Sequence, residues 1–124
     1  MNVHARRQVL ECLRELADAN FQQRVWIRGE GPEVSSYSEL VCQLFDDTAL
    51  GDVLESGLAG NIFGKPAEAE LRRLSILLDQ IPAGLDAPAL LRHPGWQAAV
   101  NVAAEAAALV EQAERVRKPG DDPT

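Results

Sequence analysis

The chain of 124 residues carries a formal net charge of −7, and 46% of its residues are hydrophobic while 25% are charged. This length supports one hydrophobic core, and the composition is that of an ordinary globular domain. The acidic balance argues against nucleic acid and anionic membranes as partners, because both are bound through clustered Lys and Arg.

The negative charge is concentrated in one part of the chain, residues 29–64, which we call the acidic segment. It contains no Lys or Arg, whereas in the rest of the chain 12 acidic residues are balanced by 12 basic ones. Its acidic residues are Glu30, Glu33, Glu39, Asp46, Asp47, Asp52 and Glu55. An unbalanced segment of this kind would attract a basic protein.

The first predicted element is a helix over residues 3–19. Its apolar residues recur at helical spacing, at Ala5, Val9, Cys12, Leu13 and Leu16. The charged residues between them, among them Arg6, are expected to face solvent. The chain shows neither a secretory signal nor an apolar run of the roughly 18 residues needed to cross a membrane. We therefore expect a cytoplasmic protein.

Residues 21–28 allow two interpretations. The apolar run that ends at Ile27 could belong to a short helix capped by Asn20, or it could form an extended stretch. The glycines and the proline in residues 29–32 then end any regular structure.

The clearest helical signal follows at Ser36. Ser36 and Glu39 have the spacing of a capping box, in which two side chains satisfy free backbone N–H groups at a helix start. The apolar residues behind it recur every three or four positions, at Tyr37, Leu40, Val41, Leu44 and Phe45. This pattern predicts an amphipathic helix with one buried stripe.

Four more features complete the predicted fold. Asp47 or Thr48 can cap a short helix that ends near Gly57, and residues 57–65 are predicted to be a loop. Pro66 suits the first turn of a leucine-rich helix. Asp86 can cap another short turn. The leucine-rich helix carries Leu71, Leu74, Leu77, Leu78 and Ile81, the short turn carries Leu90 and Leu91, and the longest helix is predicted from Pro94 to about Lys118.

Together these patterns predict an all-α, single-domain, irregular helical bundle of about five to six helices with a long C-terminal helix. The domain should cover residues 1–118, followed by a disordered tail at residues 119–124. The alanines of the last helix would let another helix approach closely, which raises the expectation of a homodimer formed through that helix.

No residue pattern predicts a catalytic residue, a metal site or a cofactor. Residues 59–65 resemble a phosphate-binding loop, but Pro66 stands where that loop needs Ser or Thr. Asp52 and Glu55, one helical turn apart, could share a Mg²⁺ ion. An enzyme of that kind would need further carboxylates, such as Glu11 and Glu15, and a basic residue for the phosphate.

Three short stretches of the sequence resemble a family of small, acidic, uncharacterised bacterial proteins. They are Arg24-Val25-Trp26-Ile27-Arg28, Leu44-Phe45-Asp46-Asp47-Thr48 and Pro94-Gly95-Trp96. The resemblance covers most of the chain and implies no activity or catalytic residue. In size and charge the chain is also similar to immunity proteins of bacterial toxin systems, and this analogy implies a basic toxin as partner.

Our functional hypothesis is a non-enzymatic protein-binding module whose acidic segment contacts a basic partner, with an immunity protein as its most concrete form. The residues expected to bind the partner are Glu33, Glu39, Asp46, Asp47, Asp52, Glu55, Trp26 and Tyr37. The alternatives are a Mg-dependent all-α enzyme that acts on nucleotide phosphates and a homodimeric structural protein.

Overall fold

The computed structural model describes residues 1–30 and 36–117, and within these ranges the chain forms eight helices and no β-strand. The simple helices are α1 (Val3–Leu16), α4 (Leu50–Glu55), α5 (Ala59–Phe63), α6 (Lys65–Asp79), α7 (Ala87–Arg92) and α8 (Trp96–Arg115). Two helices begin as α-helix and end in a π-helical stretch: α2 (Ala19–Phe21, then Gln22–Ile27) and α3 (Tyr37–Cys42, then Gln43–Asp47). The predicted all-α bundle with a long C-terminal helix is confirmed.

The three longest helices form the frame of the bundle. Helix α8 packs against both α1 and α6, and its inward side is built largely from small residues such as Ala103 and Ala106, which are fully buried. Small side chains let the helix axes approach closely, while Leu13 and Leu74 fill the space from the facing helices. The predicted stripes of α1, α6 and α8 are therefore the core.

The same packing bears on the expected homodimer. The alanines that suggested a second helix at α8 are covered by α1 and α6 of the same chain. Self-association stays a prediction, but it would have to use other residues than Ala99, Ala103 and Ala107.

One prediction for α1 is wrong, because Arg6 does not face solvent. Arg6 is 2% exposed, and its Nε donates to Glu114 Oε1 at 2.7 Å while its Nη1 donates to the Met1 carbonyl at 2.9 Å. The other Glu114 oxygen accepts from Arg117 Nε at 2.6 Å, and Arg117 also donates to the Ile62 carbonyl at 2.6 Å. The buried guanidinium thus ties α1 to the end of α8.

Helix α2 resolves the two interpretations of residues 21–28 in favour of a helix, although Asn20 is not its cap. The Asp18 carboxylate accepts from the Phe21 N–H at 3.0 Å. The buried Gln22 side chain donates to the carbonyls of Glu15 and Leu16, at 3.1 and 2.9 Å. These bonds fasten α2 onto the end of α1.

The loop predicted at residues 57–65 is also wrong, since it contains α5. Ala59 and Phe63, four residues apart, are both buried, and Glu68 accepts from the Gly60 N–H at 3.1 Å. Gly57 and Gly64, which flank α5, have positive φ. Because α5 is only five residues long, these glycines made the whole stretch look like a loop in the sequence. With this helix and the separate short helices α4 and α7, the described residues form eight helices rather than the predicted five to six.

The predicted caps are largely confirmed. Ser36 accepts from the Glu39 N–H at 3.2 Å, and Asp86 accepts from the Ala89 N–H at 2.9 Å. Pro66 lies in the first turn of α6. Among the described residues no helix is both long and apolar enough to cross a membrane. The predicted tail at residues 119–124 lies outside the described residues.

The turn between α3 and α4 uses Thr48 rather than Asp47 as its side-chain acceptor. The buried Thr48 hydroxyl accepts from the Leu50 N–H at 3.2 Å and donates to the Leu44 carbonyl. Between them Ala49 has φ +63°, the left-handed region that side chains with a Cβ rarely adopt.

We expect Ala49→Gly to raise the free energy of unfolding by about 0.5 kcal/mol. Glycine removes roughly 1–2 kcal/mol of left-handed strain from the folded chain. Part of this gain is lost because glycine also gives the unfolded chain more conformational entropy. The matched control is Ala69→Gly, at an exposed position inside α6, which should lower the unfolding free energy by about 1 kcal/mol. Urea unfolding followed by circular dichroism measures both, and a loss of stability at Ala49 as well would contradict the assignment of strain.

Candidate functional site

A groove of about 760 Å³ opens between α2, α3, the end of α6 and α7. Its walls are mostly apolar, and its lining includes Val25, Trp26, Tyr37, Val41, Leu78, Ile81, Pro82, Leu85 and Leu90. The groove lies where the chain leaves α6 after Asp79 and returns through α7. Its volume is that of a site for a small molecule or a short peptide segment.

An aromatic cluster supports one wall of the groove. The Trp26 and Tyr37 rings, which line the groove, lie 6.3 Å apart in an edge-to-face arrangement. Behind them the buried Trp96 ring lies 5.5 Å from Tyr37 and 6.1 Å from Trp26. The Trp96 Nε1 donates to Gln22 Oε1 at 3.3 Å. Trp96 is therefore the core anchor of this cluster, while Trp26 and Tyr37 remain partly exposed.

Two carboxylates from different helices enter the lining, Asp46 of α3 and Asp79 of α6. Both residues are exposed, and the described lining of the groove contains no Lys or Arg. Burial of the Tyr37 phenol, followed by the charge of Asp79, raises the pKa of Tyr37. A groove with two carboxylates and apolar walls presents a negative potential to whatever enters it.

Both thiols of the chain, Cys42 in the groove lining and Cys12 in the core, have a raised pKa. Cys42 Sγ donates to Asp46 Oδ2 at 3.5 Å, and this hydrogen bond, with desolvation and the charges of Asp46 and Asp47, raises the pKa of Cys42. Burial, then the charges of Glu15, Glu11 and Asp47, raises the pKa of Cys12 to about 12. Neither thiol has the lowered pKa of an activated nucleophile.

The remaining residues predicted to bind a partner are exposed on α3 and α4. Glu39, Asp47, Asp52 and Glu55 are all exposed, and none forms an ion pair with another described residue. Glu33 lies outside the described residues. By contrast Glu30 of the acidic segment is paired with Arg28 at 3.5 Å.

A cation does border α4 from outside the acidic segment. Arg72 of α6 donates to the Leu54 carbonyl at 2.6 Å, while its ion pair is with Glu68 at 3.5 Å. Arg72 therefore binds a free carbonyl at the end of α4 and a carboxylate of its own helix, and it does not pair with the acidic side chains of α3 and α4.

The Mg²⁺ site considered for Asp52 and Glu55 gains no third ligand. Within residues 1–30 and 36–117, no group of three or more His, Cys, Asp or Glu side chains lies close enough to hold a metal ion. His93, one of the two histidines, accepts at Nδ1 from the Gly95 N–H at 3.0 Å and helps to shape the turn before α8.

About half of the residues that line the groove come after the acidic segment in the chain, and the sequence did not predict them as part of a site. Asp79 and the following residues Ile81, Pro82 and Leu85 showed only the end of an apolar stripe and a break. Only the tertiary fold brings the end of α6 and the residues after it into the same groove as Tyr37. No local pattern contained that information.

The family model described as a domain of unknown function (DUF7945) matches residues 2–118 of the chain. No curated protein and no solved structure matches it significantly.

Proposed function

Since the chain belongs to the DUF7945 family, whose function is unknown, we propose a role from its own geometry: a non-enzymatic module that binds a basic protein. The exposed carboxylates of α3 and α4 would contact the partner, and the groove beside them would take part. The most concrete form of this proposal is an immunity protein that covers a basic toxin of a bacterial system.

One observation carries the proposal. Glu39, Asp47, Asp52 and Glu55 are exposed on two consecutive, packed helices and have no ion-pair partner among the described residues. By contrast, several acidic side chains of α6 and α8 are matched by arginine, as Glu111 is by Arg115 at 2.6 Å. Unmatched surface charge of one sign speeds the approach of an oppositely charged protein.

The chemistry of the groove also favours binding over catalysis. Its thiol and its phenol have raised pKa values, so at neutral pH neither supplies a nucleophile or a base. Apolar walls beside carboxylates are instead the composition of a recognition surface.

Neutralising three of the unmatched carboxylates tests the proposal. We expect Asp47→Asn/Asp52→Asn/Glu55→Gln to slow association with a basic partner about tenfold at low salt and to have little effect at high salt, because Debye screening removes long-range attraction. The first probe is the purified product of the gene adjacent to the one for this chain, which the immunity form predicts to be a basic toxin.

The control carries the same change in net charge elsewhere: Glu105→Gln on α8 with Asp121→Asn and Asp122→Asn near the C-terminus. It should associate like the parent. Equal slowing in both variants would show that only net charge matters. If the triple variant associates as fast as the parent, the proposal that the acidic surface binds the partner is refuted. A neighbouring product that does not bind would refute the immunity form.

A further inference from the structure

We infer that the groove between α2, α3 and the α6–α7 connection seats an apolar side chain of the partner that is flanked in sequence by Arg or Lys. The inference rests on the proposed function and adds the recognition element. The occupant is a short peptide segment of another protein, basic at its ends and apolar in its middle.

The size and lining of the groove support a peptide rather than a single ion. A space of about 760 Å³ is several times the volume of one side chain and falls within the roughly 300–1,000 Å³ of ligand sites. Leu78 and Leu90 are buried at its base, whereas Leu85 remains 37% exposed at its edge. An inserted apolar side chain would cover this exposed surface and gain hydrophobic stabilisation.

The charges determine what flanks the apolar side chain. Asp46 and Asp79 come from different helices, so a segment that crosses the groove would meet both of them. No Lys or Arg in the described lining competes for these carboxylates. Lys or Arg side chains before and after the apolar residue complement this arrangement, and acidic ones would be repelled.

The aromatic wall favours Arg over Lys among the two cations. Trp26 and Tyr37 line the groove beside the carboxylates, and Trp26 is braced by Phe21 at 6.4 Å as well as by Tyr37 and Trp96. A planar guanidinium can stack on an indole or phenol ring and still donate hydrogen bonds to a carboxylate. The braced rings provide such a surface at little cost in side-chain entropy.

The test titrates the intact chain with three acetylated and amidated hexapeptides, RRLFRR, RRGSRR and EELFEE, and follows tryptophan fluorescence. We expect RRLFRR to give a saturable emission shift, RRGSRR to bind at least about tenfold more weakly, and EELFEE to give no shift. The first comparison isolates the apolar anchor, and the second isolates the charge.

Paired variants place the binding in the groove. Asp46→Asn/Asp79→Asn should weaken RRLFRR about tenfold, whereas the control Glu11→Gln/Glu105→Gln, at exposed positions of α1 and α8 outside the groove lining, should stay within about twofold of the parent. Neither groove substitution removes a helix cap, and the amide oxygen introduced by Asp46→Asn can still accept from Cys42, so folding is preserved. Thermal unfolding followed by circular dichroism checks this.

The outcomes separate this inference from the proposed function. Equal affinity for RRLFRR and RRGSRR overturns the groove inference and leaves a general acidic surface. Equal weakening in both paired variants also overturns it and leaves only an effect of net charge. Absence of binding by all three peptides also overturns it, while the slower association of the triple variant with a basic partner would still support the proposed function.

Discussion

Replacing Glu114 with Ala should lower the free energy of unfolding by about 3 kcal/mol. The substitution removes the acceptor of two arginines, Arg6 at 2.7 Å and Arg117 at 2.6 Å, and leaves the guanidinium of Arg6 at 2% exposure. A buried charge that loses its carboxylate keeps the cost of desolvation without the attraction that offset it. We place the effect at the lower end of the usual range because Glu114 itself is 24% exposed.

Replacing the other partner of this ion pair, Arg6, should lower the free energy of unfolding by less. Arg6→Met replaces the buried cation with an apolar side chain of similar length, and Glu114 keeps its bond to Arg117, so we expect a loss of no more than about 1.5 kcal/mol. The control Glu105→Ala, at an exposed position on the same helix, should change stability by less than about 0.5 kcal/mol. Urea unfolding at pH 7 measures all three, and equal losses for Glu114→Ala and Glu105→Ala would refute the role of the network.

The destabilisation should also depend on pH with a definite sign. Burial raises the pKa of Glu114, but the hydrogen bonds and charges of Arg117 and Arg6 more than offset this and lower it below its ordinary value of 4.5. A carboxyl whose pKa is lower in the folded chain stabilises it above the unfolded pKa. The difference between parent and Glu114→Ala should therefore be complete at pH 7 and shrink as the pH falls below 4.5.

Replacing Trp96 with Ala should lower the free energy of unfolding by about 4 kcal/mol. Trp96 is 4% exposed, packs against Trp26 and Tyr37, and donates to Gln22. The substitution leaves a cavity where α2, α3 and α8 meet and removes the support behind the groove. The loss combines the transfer of the indole to water with the cavity that remains.

Trp96→Phe separates packing from the hydrogen bond. It keeps most of the ring but leaves Gln22 Oε1 without its donor, so we expect a loss of about 1–2 kcal/mol. The control Val116→Ala, at a position 65% exposed, should have almost no effect. Urea unfolding followed by far-ultraviolet circular dichroism provides the comparison; a loss below about 2 kcal/mol for Trp96→Ala would contradict its role as the anchor of the cluster.

Periodicity predicted most of the long helices because it reflects burial directly. The stripes of α1, α6 and α8 were identified from residues such as Leu13, Leu74 and Val110, which are fully buried. Capping residues were also informative, since Ser36 and Asp86 act within three residues of their own position. Interactions that are local in sequence are the ones that a single sequence reveals.

The errors at Arg6 and at the far side of the groove come from contacts between distant parts of the chain. Arg6 was assigned to the surface because a charged residue is rarely buried unless it has a partner, and its partner Glu114 lies 108 residues away. The acidic side of the candidate site was predicted from composition. The other side, with Asp79, depends on how the tertiary fold brings the end of α6 into the same groove as α3, which no spacing in the sequence encodes.

The two π-helical stretches have a consequence for comparing this chain with its relatives. Each such turn, at Gln22–Ile27 and at Gln43–Asp47, holds one residue more than an α-helical turn while the helix continues along the same direction. A relative one residue shorter at either place could therefore keep both helices intact. Single-residue gaps in an alignment at these positions should be read as the replacement of a π-helical turn by an α-helical one, after which the side chains keep their faces, rather than as a different fold.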